Sequence, residues 1–162
     1  AKKAAENDEV PIGAVVVDRQ TGKIIAEAGN QSAHNGDATA HAEILAIQRA
    51  CKELGQTRLW DMDLYVTLEP CTMCAGAISF ARISNLYFGA TDEKGGAIVS
   101  GVKFFETSTC HHRPHVESGI LAAECSKLLQ DFFKQKRNKY SPYILESMIP
   151  PPSKTSSFSA SS

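Results

Sequence analysis

The stretch LYVTLEPCTMCAGAISFARISNLYFG, residues 64–89, predicts a strand, a helix and a second strand in immediate succession. The runs LYVTL (64–68) and NLYFG (85–89) are too apolar to face water, which indicates two strands buried inside a sheet. Pro70 suits the first turn of the helix between them, which we expect to end near Arg82. A strand, helix and strand in this order form a right-handed crossover with parallel neighbours, so the stretch predicts an α/β fold.

The residues before this unit predict a hairpin, a loop and another helix. Two β-rich runs, 11–18 and 23–30, are separated by a short polar stretch that is typical of a hairpin turn. Residues 31–40 are small and polar, which favours a loop. Apolar side chains then recur at helical spacing over about residues 39–54, and Gly55 follows as the left-handed cap of this helix.

The two ends of the chain differ in composition. AKKAAENDEV (1–10) consists largely of good helix formers and predicts a first helix whose start lies before residue 1. Residues 90–114 lack clear periodicity and are predicted mostly as loop. Helical spacing resumes at Leu121 and ends in a basic cluster. We therefore assign residues 1–139 to one domain, whereas the Pro- and Ser-rich residues 140–162 predict a disordered tail.

Composition excludes several classes of protein. A chain of 162 residues, 43 % of them hydrophobic, is long enough for one core and too short for two ordinary domains. Its net charge of −1 gives no global positive field, so a nucleic-acid partner would have to be bound by a local patch. No apolar run approaches the roughly 20 residues that cross a bilayer, and we expect a soluble protein. Five cysteines, an odd number, favour a reducing compartment, with the cytoplasm as the default.

Cys71 and Cys74 are the strongest candidates for metal ligands. At positions i and i+3 in the first helical turn they are neighbours on one face, and unpaired N–H groups there favour the thiolate. A tetrahedral zinc ion needs at least one further ligand, for which His41 is our candidate because it also begins a helix that follows a strand. The alternatives are a redox pair or core thiols for the cysteines, and a buried, hydrogen-bonded histidine for His41.

One histidine and two cysteines would leave the fourth position of zinc open to water, which is typical of a catalytic site. Glu43 is then the candidate base that accepts a proton from this water and passes it to a substrate nitrogen. Residues i and i+2 do not share a helix face, so we expect His41 at the helix cap. The alternative for Glu43 is a favourable acid in the first turn. Glu69 could also act as the base, but it precedes Pro70, and we assign it a structural role.

A second group of potential ligands lies in an irregular stretch: Cys110, His111, His112 and His115. We interpret these side chains as loop contacts, because no second cluster accompanies them. Cys51 and Cys125 lie on apolar helical faces and are predicted to be core residues.

HxE followed by PCxxC is the signature of the zinc nucleobase deaminases. Five segments together closely resemble the bacterial tRNA-specific adenosine deaminases over about residues 1–137: DEVPIGAVVV (8–17), TAHAEILAI (39–47), LYVTLEPCTMCAGAISFARI (64–83), FGATDEKGGA (88–97) and SGILAAECSKLLQDFF (118–133). The resemblance implies a three-layer α/β/α cytidine deaminase-like fold with a central five-stranded mixed sheet. It also implies a homodimer that binds one Zn²⁺ per subunit and deaminates the wobble adenosine of a tRNA anticodon loop to inosine.

The resemblance further implies His41, Cys71 and Cys74 as zinc ligands and Glu43 as the proton shuttle. It implies that Asn30 binds the flipped base and that Asp92 and Lys94 contact the neighbouring nucleotides. In the last helix it points to the RNA-binding residues Phe132, Phe133, Lys134, Lys136, Arg137 and Lys139. The alternatives are turn formers for Asn30 and Asp92 and solvated charges for the lysines and the arginine. Aromatic rings beside cations are nevertheless the combination that single-stranded loops require.

Two other functions remain open at this point. The signature is shared with deaminases of free bases or nucleosides, especially guanine or cytosine, so the chain could belong to that class. A zinc-stabilised RNA-binding subunit without catalysis is the alternative outside the enzymes.

Overall fold

The structure is a computed structural model that describes residues 1–139, and the predicted tail at 140–162 lies outside the described residues. The strands are β1 Gly13–Asp18, β2 Ile24–Gly29, β3 Met62–Leu68, β4 Asn85–Ala90 and β5 His115–Ser118. The helices are α1 Lys2–Glu6, α2 Ser32–Asn35, α3 Ala42–Leu54, α4 Thr72–Phe80 and α5 Ala122–Lys139, and a 3₁₀ turn spans Phe104–Glu106.

The five strands form one mixed sheet in the order β2-β1-β3-β4-β5. Strand β1 is antiparallel to both β2 and β3, whereas β3, β4 and β5 are mutually parallel neighbours. Since β1 opposes both of its neighbours, β2 and β3 run in the same direction. Helices α3 and α4 follow these two strands, so both begin on the side of the sheet where β2 and β3 have their carboxyl ends. We refer to this side as the sheet edge.

Helices cover both faces of the sheet. Ala14 and Val16 of β1 and Leu64 of β3 belong to the buried core that they share with α3 and α4. Neighbouring residues along a strand point to opposite faces, and on the other face Gly89 of β4 lies against Cys125 of α5. The predicted three-layer α/β/α architecture with five strands is confirmed.

Small side chains allow α3 to pack closely on the sheet. Its buried face includes Ala42, Ala46 and Ala50, and α3 packs on both β1 and β2. The helix ends as predicted at Gly55, whose φ of 63° is the left-handed conformation that favours glycine.

Three local predictions were incomplete or wrong. Residues 31–40 contain the short helix α2, which ends at the left-handed Gly36 (φ 58°) and has no hydrophobic periodicity that could reveal it. Pro70 lies outside the first turn of α4, because Cys71 is the N-cap of this helix. Strand β5 was not located from the sequence. It is the outermost strand of the sheet, and three of its four residues are exposed, so it carries little apolar pattern.

No helix within residues 1–139 is long and apolar enough to span a membrane.

Candidate metal centre and active site

His41 and Cys71 occupy equivalent positions at the starts of α3 and α4. Each is the N-cap of its helix and has an extended backbone, with φ and ψ of −73° and 153° at His41 and −74° and 175° at Cys71. Cys74 follows in the first turn of α4. Because both helices begin at the same sheet edge, these three sequentially distant residues meet there, as the sequence predicts.

The three side chains have the spacing of a metal site. Nδ1 of His41 lies 3.6 Å from Sγ of Cys71 and 3.5 Å from Sγ of Cys74, and all three ligand atoms lie within 4.8 Å of one another. A nitrogen and a sulfur bound to the same tetrahedral zinc ion are about 3.5 Å apart. One ring nitrogen can form a hydrogen bond with only one of two thiols, so their convergence fits a shared ion better than mutual hydrogen bonding.

The two thiols differ in their tendency to ionise. Interaction with the Cys74 side chain lowers the pKa of Cys71 to about 5, against the opposing effect of burial, and the Cys74 N–H and His41 lower it further. The same interaction raises the pKa of Cys74, as do burial and the charge of Glu43. The pair thus tends to keep one proton, which a bound cation would replace.

Glu43 lies in the first turn of α3, beside these ligands. Its side chain is buried, with 4 % exposed, and burial raises the pKa of its carboxyl group. The negative charge at Cys71 raises this pKa further, whereas its own backbone N–H, His41 and Cys74 lower it. Since His41 occupies the N-cap, it and Glu43 can face the same point although they are only two residues apart. A buried carboxyl group with a raised pKa is suited to take up and release a proton.

Glu69 makes contacts with the protein backbone that fit its predicted structural role. Its carboxylate accepts the N–H groups of residues 92 and 98–100, and Oε1 also accepts the Ser100 hydroxyl at 2.9 Å. Although burial opposes it, these hydrogen bonds lower the pKa of Glu69. The side chain therefore connects the segment before α4 to the loop after β4.

Asn30 follows β2 at the same sheet edge as the metal centre and is buried. Its Nδ2 donates to Oε2 of Glu9 at 3.0 Å, and its Oδ1 accepts the Ser32 hydroxyl at 3.1 Å. Sequence reasoning missed Glu9, which precedes Asn30 by 21 residues and shares no motif with it. The one sequence signal is an acidic residue two positions before the PIGAVVV run (11–17).

Asp92 shapes the loop in which it lies. Its Oδ1 accepts the N–H groups of Lys94 and Gly95 at 3.2 and 3.0 Å, as expected of the turn former that was the alternative interpretation. Lys94 is exposed, and its side chain extends from this turn.

The predicted RNA-binding residues of α5 lie on the sheet face opposite to α3 and α4. Phe132 and Phe133 are in edge-to-face contact, with ring centroids 5.4 Å apart, and Phe133 is 44 % exposed. Lys136 lies over the Phe132 ring and also forms an ion pair with Asp8 at 2.6 Å. Lys136 therefore contributes to the contact between α5 and the end of α1. Lys134, Arg137 and Lys139 complete the basic cluster.

In the second cysteine and histidine group, Cys110 and His112 make the predicted loop contacts, whereas His115 is the first residue of β5 and contacts Glu117. The Cys110 thiol donates to the His112 carbonyl at 3.1 Å, and Nε2 of His112 donates to the Ile83 carbonyl at 2.6 Å. Within residues 1–139, no group of three potential ligands other than His41, Cys71 and Cys74 has metal-site spacing. Cys125 is buried, whereas Cys51 is only partly buried against the core.

Known proteins resemble the chain over this whole domain. Residues 1–137 match the MafB19-like deaminase family. The tRNA-specific adenosine deaminase of Agrobacterium fabrum is 58 % identical over 137 residues, which cover 85 % of this chain and 89 % of that protein. A guanine deaminase structure from Bacillus subtilis is 30 % identical with a TM-score of 0.55, over 85 % of this chain and 86 % of that one.

A solved structure from a study of A-to-I editing by tRNA:A34 deaminases at the wobble position of transfer RNA gives a stronger match. It superposes with a TM-score of 0.77 at 58 % identity and covers 79 % of this chain and 91 % of that chain. Both the fold and the sequence are thus more similar to this structure than to the guanine deaminase. The chain belongs to the MafB19-like deaminases and, within them, to the tRNA-specific adenosine deaminases.

Proposed function

We propose that this protein hydrolyses the 6-amino group of adenosine at the wobble position of a tRNA anticodon loop. Water and adenosine give inosine and ammonia. The observation that carries the proposal is the convergence of one imidazole and two sulfurs at one sheet edge, beside a buried carboxyl group. The family membership of the chain supports adenosine as the base and tRNA as the polymer.

Zinc is the metal that this ligand set fits best, with His41, Cys71 and Cys74 as ligands. Sulfur and imidazole ligands in a tetrahedral arrangement are characteristic of zinc. When bound, the ion supplies a water molecule of lowered pKa at the position that the protein leaves open. The low pKa of Cys71 favours the thiolate that such an ion requires.

Glu43 is the proposed proton carrier. Burial raises the pKa of its carboxyl group, so the carboxylate gains a proton more readily than an exposed one. Glu43 would accept the proton released when water attacks C6 of the base. It would donate this proton to N1 and afterwards assist the departure of ammonia.

Asn30 is the proposed contact to the flipped base, since it lies at the same sheet edge and keeps part of its hydrogen-bonding capacity. Lys94 would bind RNA phosphates from its exposed position, and Asp92 would support the turn that carries Lys94. Phe132 and Phe133, with the surrounding lysines, would bind the RNA loop by stacking and charge. We place this reaction in the cytoplasm, and the absence of disulfides among the five cysteines is compatible with a reducing compartment.

A homodimer is the proposed assembly. Exposed apolar side chains lie on α4 and in the loop that precedes the 3₁₀ turn: Met73, Phe80, Val99 and Val102. Phe80 is 80 % exposed, which is a large unprotected ring for a monomer surface. Burial of this patch against a second copy would remove it from water. Sedimentation analysis of wild type and Phe80→Ser tests this assembly, with a dimer expected for the wild type and dissociation for the variant.

Deamination of free guanine is the second candidate function, and the similarity to the guanine deaminase structure favours it. A panel of tRNA anticodon hairpins, compared with free adenosine, guanine and cytidine, separates the two functions. We expect inosine at the wobble position of one or a few hairpins, read by sequencing, and ammonia release only with these RNAs. Ammonia from free guanine without inosine in any hairpin would contradict the RNA assignment.

A further inference from the structure

Glu9 is a buried carboxylate that the proposed chemistry does not use. Only 3 % of the residue is exposed, and it precedes β1. Oε2 accepts the Asn30 amide at 3.0 Å, and Oε1 accepts the backbone N–H of His34 in α2 at 2.6 Å. No ion pair to Glu9 is found within residues 1–139. Burying a carboxylate that has only two donors and no cation costs free energy, so stability alone is a poor reason for an acid at this position.

The carboxylate determines the orientation of the Asn30 side chain. Both carboxyl oxygens of Glu9 accept N–H groups, so the amide nitrogen of Asn30, and not its oxygen, faces Glu9. The Ser32 hydroxyl, which donates to Oδ1 at 3.1 Å, favours the same orientation from the other end of the amide. A rotation by 180° would place Oδ1 against the Glu9 carboxylate, which is repulsive.

This orientation leaves Asn30 one amide N–H and one oxygen lone pair that the protein does not use. The amide thus keeps a donor and an acceptor at defined ends. Adenine presents an acceptor beside a donor on its N7 and N6 edge, which is the pattern that an asparagine amide recognises.

We propose that Glu9 is a positioning residue that fixes the polarity of the Asn30 amide for recognition of the base. The inference rests on the proposed function, because it takes Asn30 as the contact to adenine. Glu9 does not touch the reacting atoms and acts through Asn30.

Glu9→Gln is a suitable probe because it keeps the size of the side chain. The Asn30 and His34 N–H groups approach different oxygens of Glu9, and a glutamine has an oxygen at only one of these two positions, so it cannot accept both in this geometry. We expect kcat/KM on the anticodon hairpin to fall about tenfold, which corresponds to one lost hydrogen bond to a charged group. Glu6→Gln, an exposed change in the same segment, is the matched control and should retain full activity.

A double-mutant cycle separates positioning from a purely structural role. If Glu9 acts through Asn30, Glu9→Gln should lower kcat/KM in the wild type and have no further effect in the Asn30→Ala background. An undiminished loss in that background would overturn the proposal, since Glu9 would then act through α2 or the fold.

The side-chain amide resonances of Asn30, measured by NMR without RNA, give a second readout. We expect one of the two amide protons to be shifted and slowly exchanging in the wild type and to lose both properties in Glu9→Gln. Identical Asn30 resonances in both proteins would overturn the proposal. Wild-type protein that deaminates no hairpin would instead contradict the proposed function, while the NMR comparison would still decide the Glu9–Asn30 contact.

Discussion

Glu43 and Glu69 are two buried glutamates, each two residues from a metal-ligand candidate. The pKa of Glu43 is raised, whereas the pKa of Glu69 is lowered. Both are shielded from water, with 4 % and 3 % exposed, although Glu43 lies deeper among protein atoms. Four backbone N–H groups and a hydroxyl donate to Glu69, and its pKa is lowered. Burial is the largest single influence on both pKa values, but for Glu69 these donors together outweigh it, whereas for Glu43 burial prevails and the pKa is raised. The depth of burial and the number of donors together therefore set the direction of the pKa shift.

This difference explains why one glutamate suits chemistry and the other suits structure. A carboxylate with five donors is held as an anion and has little tendency to accept a proton. A carboxyl group with few donors, beside a cluster that can bind a cation, can change its protonation state as charge in the site changes. The same residue type thus acquires different roles from its surroundings.

Substitution of Glu43 should have the largest effect on activity. Glu43→Gln keeps the shape of the side chain and removes its capacity to carry a proton. We expect kcat on the anticodon hairpin to fall by about 10²–10⁴-fold, with folding and metal content unchanged. Inosine formation, circular dichroism and metal analysis measure these three properties.

The matched control for this change is Glu53→Gln, on the exposed side of the same helix, which should leave kcat as in the wild type. Turnover of Glu43→Gln at the wild-type rate would refute the proton-carrier role. Loss of the metal together with activity would show that Glu43 mainly supports the ligands, and the contrast with Glu69 would then disappear.

Substitution of Glu69 should affect stability more than chemistry. A glutamine has an oxygen at only one of the two positions, so either the Asp92 N–H or the N–H groups of residues 98–100 face its NH₂ group and lose their partner. We expect the free energy of unfolding to fall by about 2–3 kcal/mol and kcat to change less than tenfold. Urea denaturation measures the first, and hydrogen exchange at residues 92 and 98–100 should locate the loss in the loop. Glu93→Gln, exposed in the same loop, should change neither property.

The stabilisation by Glu69 should also depend on pH. Its pKa is lower in the folded protein than the value of about 4.3 in an unfolded chain. The contribution is therefore complete above about pH 4.3 and is lost as the pH falls towards the folded pKa. The stability difference between wild type and Glu69→Gln should be constant near neutral pH and shrink in acid. A difference that grows in acid would contradict the lowered pKa.

The convergence of His41, Cys71 and Cys74 was predictable because it depends on strong local signals. Pro70 and the cysteine spacing indicate a helix start after a buried strand, and the fold rule for strand–helix–strand units supplies the parallel pair. The position of His41 at a helix cap followed from the requirement that it and Glu43 face one point. Each of these steps uses residues that are close in sequence or a general rule of topology.

Contacts across long stretches of sequence were not predictable in the same way. The hydrogen bonds from residues 98–100 to Glu69 join segments about 30 residues apart, and most of the donors are backbone groups that any residue type supplies. The Glu9–Asn30 pair is likewise invisible without the fold. Helix α2 and strand β5 are short and carry little apolar periodicity, so tertiary contacts decide their conformation.

The smallest effect is expected for Lys94, which extends from the loop that Glu69 holds. Its exposed ammonium group can add attraction to RNA phosphates but cannot take part in proton transfer. For Lys94→Ala we expect KM for the hairpin to rise about two- to fivefold at low salt, with kcat unchanged, and the rise to diminish as salt is added.

Lys23→Ala is the matched control for this prediction. Lys23 is also exposed, but it lies in the β1–β2 turn, at the end of the strands opposite to the candidate active site. Its KM should equal that of the wild type. A fall in kcat for Lys94→Ala comparable to that of Glu43→Gln would mean that the loop takes part in the chemical step. The division between a catalytic Glu43 and a structural Glu69 would then be wrong, because Glu69 would control catalysis through the loop it binds.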